Sequence, residues 1–396
     1  MRNSVRNLIK CVVSMTIVAF AAFGLRADTG SCGGAPASLP FTDVASSPFF
    51  CQIAQAFFSA LIDDTNGTKF DPQGNVTREQ IAGFITRTQD SALGRASKRA
   101  ALGQFWTTTP HYDLGLARTT VGGNPSSVKS DGADLWVVGI GDNTVARVRG
   151  SDGTLLGKWK KAFDASHVLV AMGRVFVTAD TNPGSLYMID PAQPPGPVVN
   201  VAGNEMTAFP SELAFDGARI WTVHGGALSI VTPLSTIPWS SKRVGGFKAA
   251  TGITFDGSNI WITDQLDNTL MKLDQNGVVI QTVNVGMRPR SPVFDGTNIW
   301  TPNSDDNSVS VVRASTGVVI ATLTGNGLKG PLEAAFDGVR ILVTSPDGSV
   351  VSLWKATDLT SIGSFSTGHF TLPRGVCSDG VNFWITLTQT GHLVRF

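Results

Sequence analysis

A glycine, usually in Asp-Gly, returns along most of the chain at a nearly constant interval. It stands at Gly132, Gly173, Gly217, Gly257, Gly296, Gly338 and Gly380, with spacings of 41, 44, 40, 39, 42 and 42 residues. A period near forty predicts a β-propeller with one four-stranded blade per repeat. A bulky residue follows at a fixed offset: Trp136, Trp221, Trp261, Trp300, Leu342 and Trp384, with Phe176 one residue early in the second copy. A large side chain at one point of every second strand suits blades that pack face to face, so these tryptophans read as core.

The most regular copy is Ile253–Gly286. Its strands are expected at Ile253–Phe255, Ile260–Thr263, Thr269–Asp274 and Val278–Val285. Asp142-Asn143, Asp267-Asn268 and Asp306-Asn307 fall between second and third strands, where hairpins need residues that tolerate left-handed backbone. The last copy has three strands and then the chain stops, whereas an orphan strand near Leu116–Val121 precedes the first copy. That strand is expected to complete the last blade, closing a seven-bladed ring and removing its exposed edges. The expected fold is therefore mainly β over residues 112–396, with a small α-helical module before it.

The pattern Asp-Gly-x-x-(Ile/Leu)-Trp, followed by Asp-Asn-(Thr/Ser)-(Val/Leu), resembles the propellers of the virginiamycin B lyase-like, YVTN and NHL repeat group. The resemblance spans about residues 112–396 and implies the fold. It implies no single activity, because that group contains lyases, lactonases and binding proteins.

Residues 1–27 read as a signal peptide. Arg2, Arg6 and Lys10 precede an apolar run over Cys11–Leu25, and Ala27 suits cleavage before Asp28. The run is too short for a good membrane span, so the mature chain is expected to lack one and to be exported to the cell surface, periplasm or medium. Residues 28–40, rich in Gly, Ala, Ser and Pro, read as a flexible lead-in. In an oxidising compartment, a Cys32–Cys51 disulfide would staple a module with little core. Cys377 reads as a small buried apolar residue of an inner strand.

Phe50, Ile53, Ala54, Phe57, Phe58 and Leu61 recur at helical spacing. A second amphipathic helix is expected over 78–88 with Thr77 as its N-cap. Phe41-Thr42-Asp43-Val44, Phe70-Asp71-Pro72 and Val76-Thr77-Arg78-Glu79-Gln80 together resemble an S-layer homology module over residues 41–88. The resemblance implies binding of cell-wall or envelope polysaccharide through Thr77 and Arg78. Family members usually carry several such modules in tandem, and one is present here. Residues 89–111 read as a linker.

Basic and acidic residues number 31 and 30, without a Lys/Arg run, so no nucleic-acid partner is expected. Loops before inner strands and after second strands open on one face of a propeller, around its channel mouth. They nominate His167, Glu212, Thr251, Asp264, Arg290, Asn303, Glu333 and Arg374 as contacts for a small molecule, glycan or protein. Two functions compete. A recognition or scaffold module would use these groups as a mixed polar funnel and need no cofactor. A lyase or hydrolase would use His167, His224 or His369 as general base, with Glu212 and Glu333 holding a metal. The resemblance to the lyase-like propellers implies Mg2+ for that alternative.

Overall fold

The computed structural model describes residues 28–32, 35–58, 69–74, 118–202 and 206–396. The predicted signal peptide, the second module helix with Thr77 and Arg78, and the linker lie outside the described residues. The chain divides into two units, Met1–Thr88 and Gln89–Phe396. Among the described residues, no helix is long and apolar enough to cross a membrane.

In the first unit the helix Phe50–Phe58 presents Phe50, Ile53 and Ala54 to Leu39, Phe41 and Val44. The expectation of a flexible lead-in is corrected: Asp28–Cys32 and Ala35–Leu39 pair as an antiparallel hairpin. Its start is fixed by the Asp28 carboxylate, which accepts from the Val44 and Ala45 N–H groups. Asp43 likewise accepts from Phe70 and Asp71 N–H, tying two distant segments of this small core together. Cys51 is disulfide-bonded, while the side chain of Cys32 lies outside the described residues.

The second unit is mainly β, a propeller arrangement of four-stranded blades. Its strands form six sheets: five are four-stranded and one, spanning Leu213–Asn284, is six-stranded. The regular repeat keeps close to its expected strands, at Ile260–Asp264, Thr269–Leu273 and Val279–Asn284. Its inner strand, however, is continuous with the outer strand before it, as Ser240–Phe255, so two repeats share one sheet. The glycine-rich stretches Gly225-Gly226 and Gly245-Gly246 lie where this extended hairpin shifts register, between Gly225↔Ala250 and Ala227↔Gly245. The orphan strand, Arg118–Thr120, pairs with His392–Arg395 and completes the last sheet.

The repeat motif has a double task. In Asp256-Gly257-Ser258-Asn259-Ile260-Trp261, one Asp256 oxygen accepts from the Ser258 and Asn259 N–H groups, which shapes the turn. The other accepts from Trp261 Nε1 at 2.7 Å, so the buried indole leaves no orphan donor. Asp131–Trp136, Asp216–Trp221, Asp295–Trp300 and Asp379–Trp384 repeat the contact at 2.7–2.8 Å. Where Leu342 replaces the tryptophan, Asp337 holds Arg340 instead. The second copy has Met172 in place of the aspartate and Phe176 in place of the indole, so neither partner is needed.

Neighbouring sheets are locked by threonines of the second strands. Thr344 Oγ1 accepts from Glu333 N–H in its own sheet and donates to Arg374 O of the next. Thr178 does the same between His167 and Ser211. Thr386 joins the last sheet to Ser126 of the first, and Thr388 donates to Pro125 O at 2.8 Å. These bonds fix the heights of the inner strands relative to one another, and so the positions of the side chains they carry.

Candidate binding site in the channel and its mouth

Each repeat enters its inner strand through a two-residue step: Ser126-Ser127, Ser166-His167, Ser211-Glu212, Thr251-Gly252, Arg290-Ser291, Leu332-Glu333 and Arg374-Gly375. Register shifts interrupt the ladder at several of these steps, as between Pro125 and Ser127, Ala250 and Gly252, and Pro373 and Val376. Such bulges re-aim side chains. Where they occur they separate the two members of the step; at Ser211-Glu212, Arg290-Ser291 and Leu332-Glu333 the step lies just before the paired strand. The second member faces the channel, and the first faces the mouth or bonds backbone between blades.

The channel residues Ser127, His167, Glu212, Ser291 and Glu333, with Lys129 two residues beyond Ser127, line a cavity of about 230 Å³. At two places the second member is glycine. A Cβ on Gly252 would lie 2.6 Å from Arg290 O, and one on Gly375 would lie 2.5 Å from Ser126 O. The neighbouring backbone leaves no room for a side chain there.

Lys129 Nζ pairs with Glu333 Oε1 at 2.8 Å, with 37% of the lysine side chain and 10% of the glutamate exposed to the channel. Burial pushes the Glu333 carboxyl up, against the pull of Lys129. Burial acts to lower Lys129, but Glu333 beside it more than offsets this and the ammonium is held above its usual range. Glu212 accepts from the Ile253 N–H at 3.1 Å with one oxygen and from Ser291 Oγ with the other. Burial, and then the Glu333 charge, raise its pKa to about 7. Burial, with Lys129 and Arg374 adding, pushes His167 down to about 4, so its ring is neutral at neutral pH. Its Nδ1 lies 2.7 Å from Ser166 Oγ.

The mouth carries a second recess of about 370 Å³, lined by Arg288, Arg290, Ser304, Asp305, Leu332 and Arg374 among others. Arg290 donates to Gln265 Oε1 at 3.0 Å and Ser304 Oγ at 3.3 Å.

Of the residues nominated from sequence, His167, Glu212 and Glu333 meet in the channel, and Arg290 and Arg374 meet at the mouth. The structure places the other nominations in different contacts. Thr251 bonds Thr263 Oγ1 and Pro289 O between adjacent repeats. Asp264 is buried and accepts from Lys248, Ala249, Leu266 and Asp267 N–H, shaping its own loops. Asn303 is buried and donates to Ser308 and Ser310. His224 Nδ1 contacts Phe209 O at 2.7 Å, and His369 is exposed with its ring edge-on to Phe370; neither lines the channel or the mouth recess.

Sequence reasoning missed Lys129 and Ser291. Lys129 could have been found from the period of two along inner strands, because it follows Ser127 on the same face, whereas Ser291 could have been found only as the second member of the Arg290-Ser291 step. It also missed Arg288, which sits in the loop before Arg290. Cys377 is a free, buried cysteine whose thiol burial pushes up, which makes it inert.

The donor set does not fit a divalent cation. Lys129 neutralises one carboxylate, and protein donors hold both oxygens of the other. No group of three or more His, Cys, Asp or Glu side chains that could hold a metal ion occurs among the described residues.

No family model matches the chain, and no curated protein matches it. Solved structures match its fold. Virginiamycin B lyase from Staphylococcus aureus is 12% identical, with a TM-score of 0.60 over 70% of this chain and 97% of that one. Hydrazine synthase from Kuenenia stuttgartiensis is 14% identical, with a TM-score of 0.58 over 69% and 95%. The computationally designed protein Ika8 is 11% identical, with a TM-score of 0.54 over 69% and 96%. Two enzymes of unrelated chemistry and a designed protein share the architecture, so the likeness carries the fold alone.

Proposed function

We propose that the second unit is a recognition module that binds a small polar ligand through its channel and mouth. One observation carries this reading: every channel group that could act as base or metal ligand already has a protein partner. Glu333 is paired with Lys129, Glu212 is held by Ser291 and Ile253 N–H, and His167 is neutral beside Ser166. His167, with a pKa of about 4, is poorly matched to proton abstraction at neutral pH, and Glu212, whose pKa of about 7 would suit that task, has both oxygens engaged by Ser291 Oγ and Ile253 N–H.

The same reading takes the ring as closed and seven-bladed. The six-stranded sheet contains two aspartate–tryptophan brackets, Asp216–Trp221 and Asp256–Trp261, and so counts as two blades joined at their edges. It takes the chain as exported and its first unit as an S-layer homology-like module that holds envelope polysaccharide through Thr77 and Arg78.

The competing reading is a magnesium-dependent lyase, whose motivation is the fold likeness to virginiamycin B lyase. A related solved structure holds a catalytically inactive form of that enzyme with quinupristin. The test is incubation of the full chain with quinupristin and Mg2+, followed by chromatography and mass spectrometry. Recognition predicts unchanged quinupristin. Ring opening that is lost in His167→Ala would overturn it.

A further inference from the structure

We propose that the mouth recess is a binding site for a small organic anion, with Arg290 and Arg374 as the groups that grip its oxyanion. The inference deepens the recognition reading and rests on it for the choice of face.

Three guanidinium groups, Arg288, Arg290 and Arg374, line this one recess. They come from the loops entering two inner strands that are not adjacent, with the Leu332-Glu333 step between them. Their charges are unequally answered. Arg288 has Asp305 at 3.5 Å, an exposed pair. Arg290 is held by Gln265 and Ser304, both neutral, so its position is fixed without a direct ion pair, and Asp305 and Glu212 act on its charge only from a distance. Arg374 is exposed, and no carboxylate lies within ion-pairing distance of it or of Arg290 among the described residues.

The arginines also feel one another. Burial lowers the Arg290 pKa first, and Arg288 and Arg374 add to that lowering, against the opposing pull of Asp305 and, more weakly, Glu212. Like charges brought together on rigid strand ends are costly unless an anion relieves them. Guanidinium suits a carboxylate or phosphate because its planar fork can donate two parallel hydrogen bonds.

The remaining wall narrows the ligand. Leu332 and Pro346 supply apolar surface, and Ser304 supplies a hydroxyl. Asp305 and Asp347 also line the recess, so a ligand of high charge density would meet repulsion on one side. A volume of about 370 Å³ falls at the small end of ligand pockets, which points to a monomeric compound and not a polymer chain. The fitting class is a small organic acid with one or two oxyanion groups and a modest apolar body.

The experiment is isothermal titration calorimetry of the full chain with malonate, with a sugar acid such as glucuronate and with inorganic phosphate. Arg290→Gln, Arg374→Gln, and Lys242→Gln as a distant charge control are titrated beside it. Lys242 donates to Asn276 O on an outer strand, away from the mouth. At least one carboxylate probe is expected to bind wild type and Lys242→Gln alike, and to bind each arginine variant at least about tenfold more weakly. Weaker binding in Lys242→Gln as well would reduce the effect to net charge and overturn the site.

Tighter binding of phosphate than of both acids would overturn the organic-acid class. No heat with any probe, or equal heat in the arginine variants, would overturn the site itself. Circular dichroism and melting of each variant show that it is folded, and Arg374→Lys, which keeps the charge but loses the fork, is expected to fall between wild type and Arg374→Gln. Failure here is separable from failure of the recognition reading. Quinupristin ring opening would sink that reading whatever the anion titration gives, and loss of anion binding leaves the quinupristin result untouched.

Discussion

Glu212 offers a stability test whose sign and size both follow from its surroundings. Its carboxyl has an ordinary pKa of 4.5 when the chain is unfolded and about 7 when folded. A folded pKa above the unfolded one means that the folded state holds the proton more tightly. Its contribution to stability is therefore full below about pH 4.5 and is lost as the pH rises towards 7. That displacement corresponds to about 3 kcal/mol, counted as an order of magnitude.

The groups facing Glu212 explain it. Burial and Glu333 favour the proton. Ser291, Lys129 and the Ile253 N–H favour its loss, and they fall short.

Glutamine imitates the protonated acid. Its oxygen can accept from Ile253 N–H, and its amide can donate to Ser291 Oγ. Glu212→Gln is thus expected to match wild type near about pH 4 and to exceed it by about 3 kcal/mol above about pH 8. Guanidinium unfolding of both proteins at several pH values measures the difference, and the titrations of other groups largely cancel. A variant less stable than wild type near pH 8, or a difference that does not change with pH, would refute the account of the channel as a place where carboxylate charge is unwelcome.

Two further perturbations address the scaffold. Asp256→Ala removes the acceptor of Trp261 Nε1 and of two turn N–H groups, and leaves the indole donor buried and orphaned. A loss of about 3 kcal/mol is expected by guanidinium unfolding, with Asp256→Asn losing less; a loss below about 1 kcal/mol would deny the bracket its role. Gly375→Ala places a methyl group 2.5 Å from Ser126 O across the junction of the last and first sheets. It should cost about 1–3 kcal/mol by overpacking, and a neutral result in the same assay would show that the sheets are less tightly locked than the Thr386 and Thr388 bonds indicate.

The repeat was legible because its causes are local. An aspartate, a glycine and an indole at fixed spacing make one turn and fill one core position, whatever the rest of the chain does. The Arg118–Thr120 strand was legible for a related reason, since a three-stranded last repeat implies a missing partner. What stayed hidden depends on distance in space. Lys129 and Glu333 are 204 residues apart and meet only because two inner strands face one channel. The shared sheet over Leu213–Asn284 was hidden too, because an alternation that fits a strand says nothing about where that strand ends and the next begins. Residues 28–40 show the opposite error: composition suggested flexibility, while one Asp28 oxygen, accepting from two N–H groups, orders the backbone around it.

The inner-strand step explains why sequence nominated one ring of residues where the structure has two. Consecutive residues on an uninterrupted strand point to opposite faces, so a polar residue at the step reads simply as facing the axis or not. At Ser166-His167 and Arg374-Gly375 a register shift breaks that rule, and at the steps of Glu212, Arg290 and Glu333 the two residues lie just before the paired strand; in both cases one member enters the channel while the other rises to the mouth. His167, Glu212 and Glu333 are second members, and Arg290 and Arg374 are first members; the sequence shows all five as polar residues near a strand start. The blade-to-blade locks use backbone carbonyls of the step, as with Thr344 on Arg374 O and Thr178 on Ser211 O. Arg290 and Arg374, whose side chains carry none of these locks, can therefore change without loosening the contacts between sheets, whereas Ser126, Thr251 and the step glycines cannot. Substitution of Arg290 or Arg374 should alter what the mouth binds, and substitution of Glu212 or Glu333 should alter the charge balance of the channel; loss of Arg374 should also relieve part of the downward pull on His167.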